Sequence, residues 1–292
     1  MKILVLNLLL LIGLPAFAQL PDTDIFLADI KYDLGKISFS NLVNLTNRNG
    51  YDNQPSFTPD GKSLLYVSVM DSIQSDIYQY DFRTKNKFRM TRTPESEYSP
   101  SYSPDARTIS AVRVDGDKGQ RFYNFPLKDI THPVFVKHTD SIGYYCWLND
   151  SMLSMFILGN TFTLEILNVR TSERKLIASD IGRCMKLSPD KKNLFFVIKQ
   201  NGRFWGIFRM DVQSLQLTRV ITTLKENEDF AILPDGTLLM GSEGKLFKFK
   251  PDADKDWQMI ADFTSTMKAF YRIAINPKGD RIAFVVYSGK KP

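Results

Sequence analysis

Cysteine and histidine are nearly missing from this chain, with two of each in 292 residues. So few cysteines exclude a disulfide scaffold. The histidines, His132 and His138, both fall in what reads as the outer part of one repeat. That excludes a histidine-rich zinc or iron centre in the channel and makes a Ser-His-Asp triad a strained coincidence. No G-x-S-x-G nucleophile elbow occurs, and Gly241-Ser242-Glu243-Gly244 reads as a turn between short strands. Beyond the first 18 residues no apolar run is long enough to span a bilayer as a helix. A sustained 3.6-residue apolar period is missing too, which predicts very little helix. Basic residues outnumber acidic ones, 38 to 32, but they are scattered. Nucleic acid wants a basic stripe on one face, so it is not an expected partner.

The first residues do have a pattern. Lys2 gives a short positive start, Ile3 to Leu14 is apolar, and Ala16-Phe17-Ala18 forms an A-x-A site. This is the layout of a cleavable export signal over residues 1–18, cut after Ala18, with residues 19–292 left as one periplasmic or secreted domain. No cysteine follows the cut, so a lipid anchor is not expected, nor is a transmembrane segment after cleavage. Cys146 and Cys184 sit at odd offsets from matching turn positions, 149 and 189, so their side chains point the same way around the repeat array. That favours two separate buried thiols over a bridge.

What dominates the rest is a turn. S-F-T-P-D-G-K, S-Y-S-P-D-A-R, K-L-S-P-D-K-K, A-I-L-P-D-G-T and A-I-N-P-K-G-D place prolines at 59, 104, 189, 234 and 277. The gaps are 45, 85, 45 and 43 residues, and a degenerate W-L-N-D-S-M-L, with Asn149 in the proline's place, divides the long one. Six copies at this period mean one supersecondary unit used six times. Each reads as four antiparallel strands: one before the turn, a buried one after it such as Leu64 to Val69, then segments such as Asp76 to Asp81 and Phe88 to Thr91. Two and four residues before the turn position the side chains are apolar or aromatic, as at Phe57, Tyr102, Trp147 and Leu187, and at Tyr145, Met185, Phe230 and Ile273. These should pack each unit on its neighbour. The last unit stops after two strands, Arg272 to Ile275 and Ile282 to Tyr287. Asp24 to Asp29 and Leu42 to Thr46 match the missing pair. The expected fold is therefore all-β: a six-bladed β-propeller of four-stranded antiparallel blades, closed by N-terminal strands that complete the C-terminal blade.

P-S-F-T-P-D-G-K-S-L-L-Y-V-S followed by S-D-I-Y-Q-Y-D resembles the repeat of TolB-type propellers, periplasmic proteins of the Tol envelope system. The same repeat occurs in the propellers of prolyl-oligopeptidase-like enzymes. The likeness covers nearly all of the chain after the signal, strongest in the first two units and weakest in the third. It implies the propeller fold and suggests an envelope role. TolB proteins also carry an N-terminal α/β domain, which this chain is expected to lack.

Candidate site residues come from geometry. Positions five and six before each turn should line the mouth of the central channel, where all units converge: Asn53, Tyr98, Tyr144, Arg183, Glu228, Asp229, Tyr271 and Arg272 lead this set. Aromatic residues with arginine suit recognition of a protein or peptide of the envelope, or of a glycan. Glu228 and Asp229 beside Arg183 read as a salt-bridged group, with acid–base chemistry of a hydrolase or lyase as the competing function. A third reading is a sensor propeller within a larger envelope complex. Asp115-Gly116-Asp117 lacks the ligand number of a calcium loop and reads as a hairpin turn. Asp24 and Asp76 are expected to bond to turn backbones. No catalytic residue, metal or cofactor is assigned.

Overall fold

A computed structural model describes residues 20–33, 36–70, 74–200, 204–225, 227–267 and 269–288, with the side chains of residues 200 and 204 excepted. The proposed export signal lies outside these residues. Twenty-four strands form six four-stranded sheets, and no helix occurs among the described residues. The chain begins with β1 (Thr23–Asp33) and β2 (Lys36–Asn44). Blade one is β3 (Asp52–Phe57), β4 (Ser63–Ser68), β5 (Asp76–Asp81) and β6 (Lys87–Arg89). Blade two is β7 (Ser96–Tyr102), β8 (Thr108–Val114), β9 (Gln120–Pro126) and β10 (Val134–Phe135). Blade three is β11 (Ile142–Trp147), β12 (Met152–Ile157), β13 (Thr163–Asn168) and β14 (Arg174–Ser179). Blade four is β15 (Ile181–Leu187), β16 (Asn193–Gln200), β17 (Phe204–Asp211) and β18 (Leu217–Thr222). Blade five is β19 (Phe230–Ile232), β20 (Leu238–Ser242), β21 (Lys245–Phe249) and β22 (Gln258–Asp262). The last blade joins β23 (Phe270–Ile275) and β24 (Arg281–Tyr287) to β1 and β2.

That composite blade is the expected closure. β1 runs antiparallel to β24 over seven residue pairs, from Thr23 opposite Tyr287 to Asp29 opposite Arg281. Six apolar clusters then fill the six gaps between neighbouring blades. The one joining the two chain ends to blade one contains Ile25, Ala274 and Ala283 against Phe57, Leu64 and Tyr66. Each cluster buries side chains that a lone blade would expose, so the ring has no free end to cap. A polar latch adds to it. Thr23 Oγ1 donates to Asp52 O (2.9 Å), and the guanidinium of Arg48 binds both Asp52 and Ser68. Asp24 Oδ1 accepts from the backbone N–H of Arg48, as expected of it. Asp76 instead forms an ion pair with Arg89 (2.8 Å), because β6 carries an arginine beside it where β2 carries Asn44.

Both cysteines are free; Cys184 is buried and Cys146 half-buried in different inter-blade cores.

Candidate functional site

The innermost strands do not keep strict alternation. A register shift interrupts pairing with the second strand between Asn53 and Ser56, Tyr98 and Ser101, Ile142 and Tyr144, Ile181 and Met185, and Phe270 and Arg272. An extra residue there bends the strand and re-aims side chains. Gln54 and Ser99 take positive φ at their bulges (54° and 53°). Successive residues such as Tyr271 and Arg272 thus both reach the axis.

They meet as a layer across the channel. Arg272 Nη1 donates to Asn53 Oδ1 (2.9 Å), Nη2 lies 3.5 Å from Tyr144 Oη, and Nε lies 3.6 Å from Asp229 Oδ1. Asn53 Nδ2 donates to Tyr271 Oη (2.5 Å), and Tyr271 stacks on Tyr287. Arg183 bonds Asp229 directly and lies 3.3 Å from Glu228, which Lys199 also binds (2.8 Å). Glu228 reaches the backbone N–H of Arg183 (3.0 Å) because residue 182 is glycine; a Cβ there would stand 2.5 Å from its carboxylate.

Seven of the eight expected residues therefore come together across the channel, Asn53, Glu228 and Asp229 buried and Tyr144, Arg183, Tyr271 and Arg272 half-buried. Asn53 is 2% exposed and Asp229 4%. The reason is the bulges, which turn these side chains toward the axis and one another. Tyr98 makes none of these hydrogen bonds; it packs against the core between blades two and three, within electrostatic reach of Tyr51. Two members were not foreseen. Lys199 comes from the second strand of blade four, and Tyr51, buried beside Arg272 and Tyr271, precedes β3. Neither occupies the repeat position that marked the others.

The electrostatics are settled by pairing. Burial alone would raise the Asp229 carboxyl, but Arg183 and Arg272 together hold it below the ordinary value, so it stays ionised. Burial opposes the charge of Arg183, yet Asp229 and Glu228 keep its pKa above normal. In the channel wall, burial pushes the Cys184 thiol up to about 12. The salt-bridged reading of Glu228 and Asp229 thus describes their geometry. Asp115 and Asp117 lie in the β8–β9 hairpin, tied by Arg121.

On the turn side of this layer lies a cavity of about 520 Å³, lined by the innermost strands of all six blades. Its floor is Tyr144, Arg183, Asp229 and Arg272; Lys186 stands in the wall; Pro189, Pro234 and Pro277 frame the outer end.

This architecture has known counterparts. A structure assigned as TolB from Agrobacterium tumefaciens superimposes with a TM-score of 0.67 at 14% identity, covering 92% of this chain and 99% of that one. TolB from Acinetobacter baumannii gives 0.62 at 13% identity, covering 92% of this chain and 64% of that one. The fold is that of a TolB-type β-propeller. An oligogalacturonate lyase in complex with manganese shares it, with a TM-score of 0.60 at 13% identity, covering 87% of this chain and 83% of that one. In sequence, an uncharacterized protein of Agrobacterium fabrum is 30% identical over 132 residues, which span 39% of this chain and 45% of that relative. No protein-family model matches the chain.

Proposed function

We propose that this chain is an exported TolB-like propeller that binds a protein or peptide partner in its central channel and catalyses no reaction. The observation that carries this reading is the convergence of six strands on a recessed cavity whose floor carboxylate is committed to ion pairs. A general acid needs a proton to give, and a general base needs a free lone pair near neutrality. Asp229, ionised and held below the ordinary carboxylate range by Arg183 and Arg272, has no proton to give and is a weak base. Among the described residues no group of three or more His, Cys, Asp or Glu side chains is placed to share a metal ion. Export and a periplasmic or secreted location rest on the A-x-A pattern at residues 16–18 and on the likeness to TolB structures.

Filling the cavity tests the proposal. Ser56, half-buried in the channel wall, is replaced in Ser56→Phe. A partner retained from an envelope extract by the wild-type chain should be lost by this variant at an unchanged thermal midpoint. Equal retention by both would contradict a channel site. Cleavage of an oligogalacturonate or a peptide by the wild-type chain, abolished in Asp229→Asn, would favour the lyase or hydrolase reading.

A further inference from the structure

We infer that the turn-side cavity takes a carboxylate carried on an apolar peptide segment, seated among Lys186, Arg183 and Arg272. This rests on the channel being the partner site, and it specifies the chemistry of what enters.

Around the cavity floor four cations, Arg183, Lys186, Lys199 and Arg272, accompany two carboxylates, Glu228 and Asp229. Glu228 is shared by Lys199 and Arg183, and Asp229 is bonded by Arg183. Lys186 is half-buried in the wall, and among the described residues no acidic side chain lies within ion-pair distance of it. Its charge nevertheless bears on Asp229 and on both thiols, Cys146 and Cys184, which places its head within the channel's field. A half-buried cation with no ion pair of its own is balanced only at a distance, here by Asp229, and an anion beside it improves that balance.

Arg272 brings a guanidinium to the same floor. Such a group offers five N–H donors in a planar fork that fits a carboxylate bidentately. Here one donor goes to Asn53, a second lies 3.5 Å from Tyr144 Oη, and the approach to Asp229 is 3.6 Å. The fork is therefore oriented by its neighbours and not closed by a bidentate partner.

The walls decide what carries the anion. Above the floor stand Phe57, Leu187, Ile232 and Ile275, then the prolines of the turns. An apolar throat over a cationic floor fits a chain that is apolar along its length and charged at one point, as in a C-terminal residue or a Glu or Asp within an apolar stretch. A sugar acid would press hydroxyls against aliphatic walls that return few hydrogen bonds, which is unfavourable. Free phosphate would touch the floor and leave the throat unfilled. At about 520 Å³ the cavity is of the size of small-ligand sites, roughly 300–1,000 Å³.

The test uses the full chain, immobilised, and two pools of random hexapeptides, one with free C-termini and one amidated. Retained peptides are sequenced by mass spectrometry. Charge-assisted bonds are worth about 1.5–3 kcal/mol, so peptides with Asp, Glu or a free C-terminal carboxylate should be enriched roughly tenfold or more. Lys186→Gln should abolish the enrichment without shifting the thermal midpoint, because Lys186 has no ion pair to lose. Retention without acidic enrichment, or enrichment that survives Lys186→Gln, overturns the inference while leaving a peptide site in the channel. No retention of either pool overturns both. Lys186-dependent retention of trigalacturonate in place of peptides would overturn the inference and assign the cavity to a uronic acid.

Discussion

Glu97 shows what a single buried group does in this ring. It is the second residue of β7, is fully buried between blades one and two, and accepts hydrogen bonds from Thr91 Oγ1 (3.0 Å) and Thr93 Oγ1. Burial raises its carboxyl to about 8 from an ordinary value of 4.5; Asp76 adds to the rise, while the two threonines and Arg113 oppose it. Between those two values the unfolded chain releases a proton that the folded chain keeps. The native state therefore binds more protons, and stability falls as pH rises through this window. The contribution is complete below about 4.5 and gone above about 8. Thermal midpoints should decline across this range in the wild type, and Glu97→Gln should flatten the decline. A variant that follows the wild-type profile would assign the dependence to other groups. Glu97 has no sequence signature, since its burial depends on two blades meeting. By contrast the Arg183, Glu228 and Asp229 group was legible, because all three stand at the repeat position beside the axis.

At the scale of the element, the turn explains itself locally. In the first copy Asp60 accepts from Thr58 Oγ1 (2.7 Å) and from the backbone N–H of Lys62 (3.0 Å). Ser103 with Asp105 and Ser188 with Asp190 repeat the arrangement. In the degenerate copy Asn149 Oδ1 receives the N–H groups of Ser151 and Met152, which closes the turn without proline. In the four Pro-Asp copies the residue after the aspartate takes positive φ: Gly61 at 68°, Ala106 at 56°, Lys191 at 61°, Gly236 at 87°. A Cβ at Gly61 meets nothing closer than 3.4 Å, so Gly61→Ala carries only the conformational cost of about 1 kcal/mol. Ala106→Gly should recover a similar amount, about 0.5–1 kcal/mol after the added freedom of the unfolded chain is counted. Denaturant midpoints moving in opposite directions would bear this out; both moving downward would contradict it. Such turns are legible because proline, aspartate and glycine act on their own backbone. The bulges of the innermost strands were not, because Gln54 and Ser99 take positive φ with no glycine to announce it. Counting back from the turns therefore found the residues that line the channel but not the bulges that let neighbouring side chains meet across it.

For the whole molecule, the ring could be counted from the sequence because its ends are complementary: two strands are missing at one end and two are supplied at the other. Six inter-blade cores follow from that closure. What could not be counted is which side of the axis is open. That depends on contacts such as Arg272 with Asn53, 219 residues apart, which no local pattern encodes. Net charge misleads in the same way. The chain's formal +6 is spread along the sequence, whereas Arg183, Lys186 and Arg272 are gathered around one cavity. The most direct check of the channel as the binding site is lysine acetylation of the full chain, with and without its retained partner, read by mass spectrometry. Lys186 should be acetylated in the free chain and protected in the complex, while Lys87 and Lys175 on the outer strands react equally in both. Protection of the outer-strand lysines with Lys186 unchanged would contradict it.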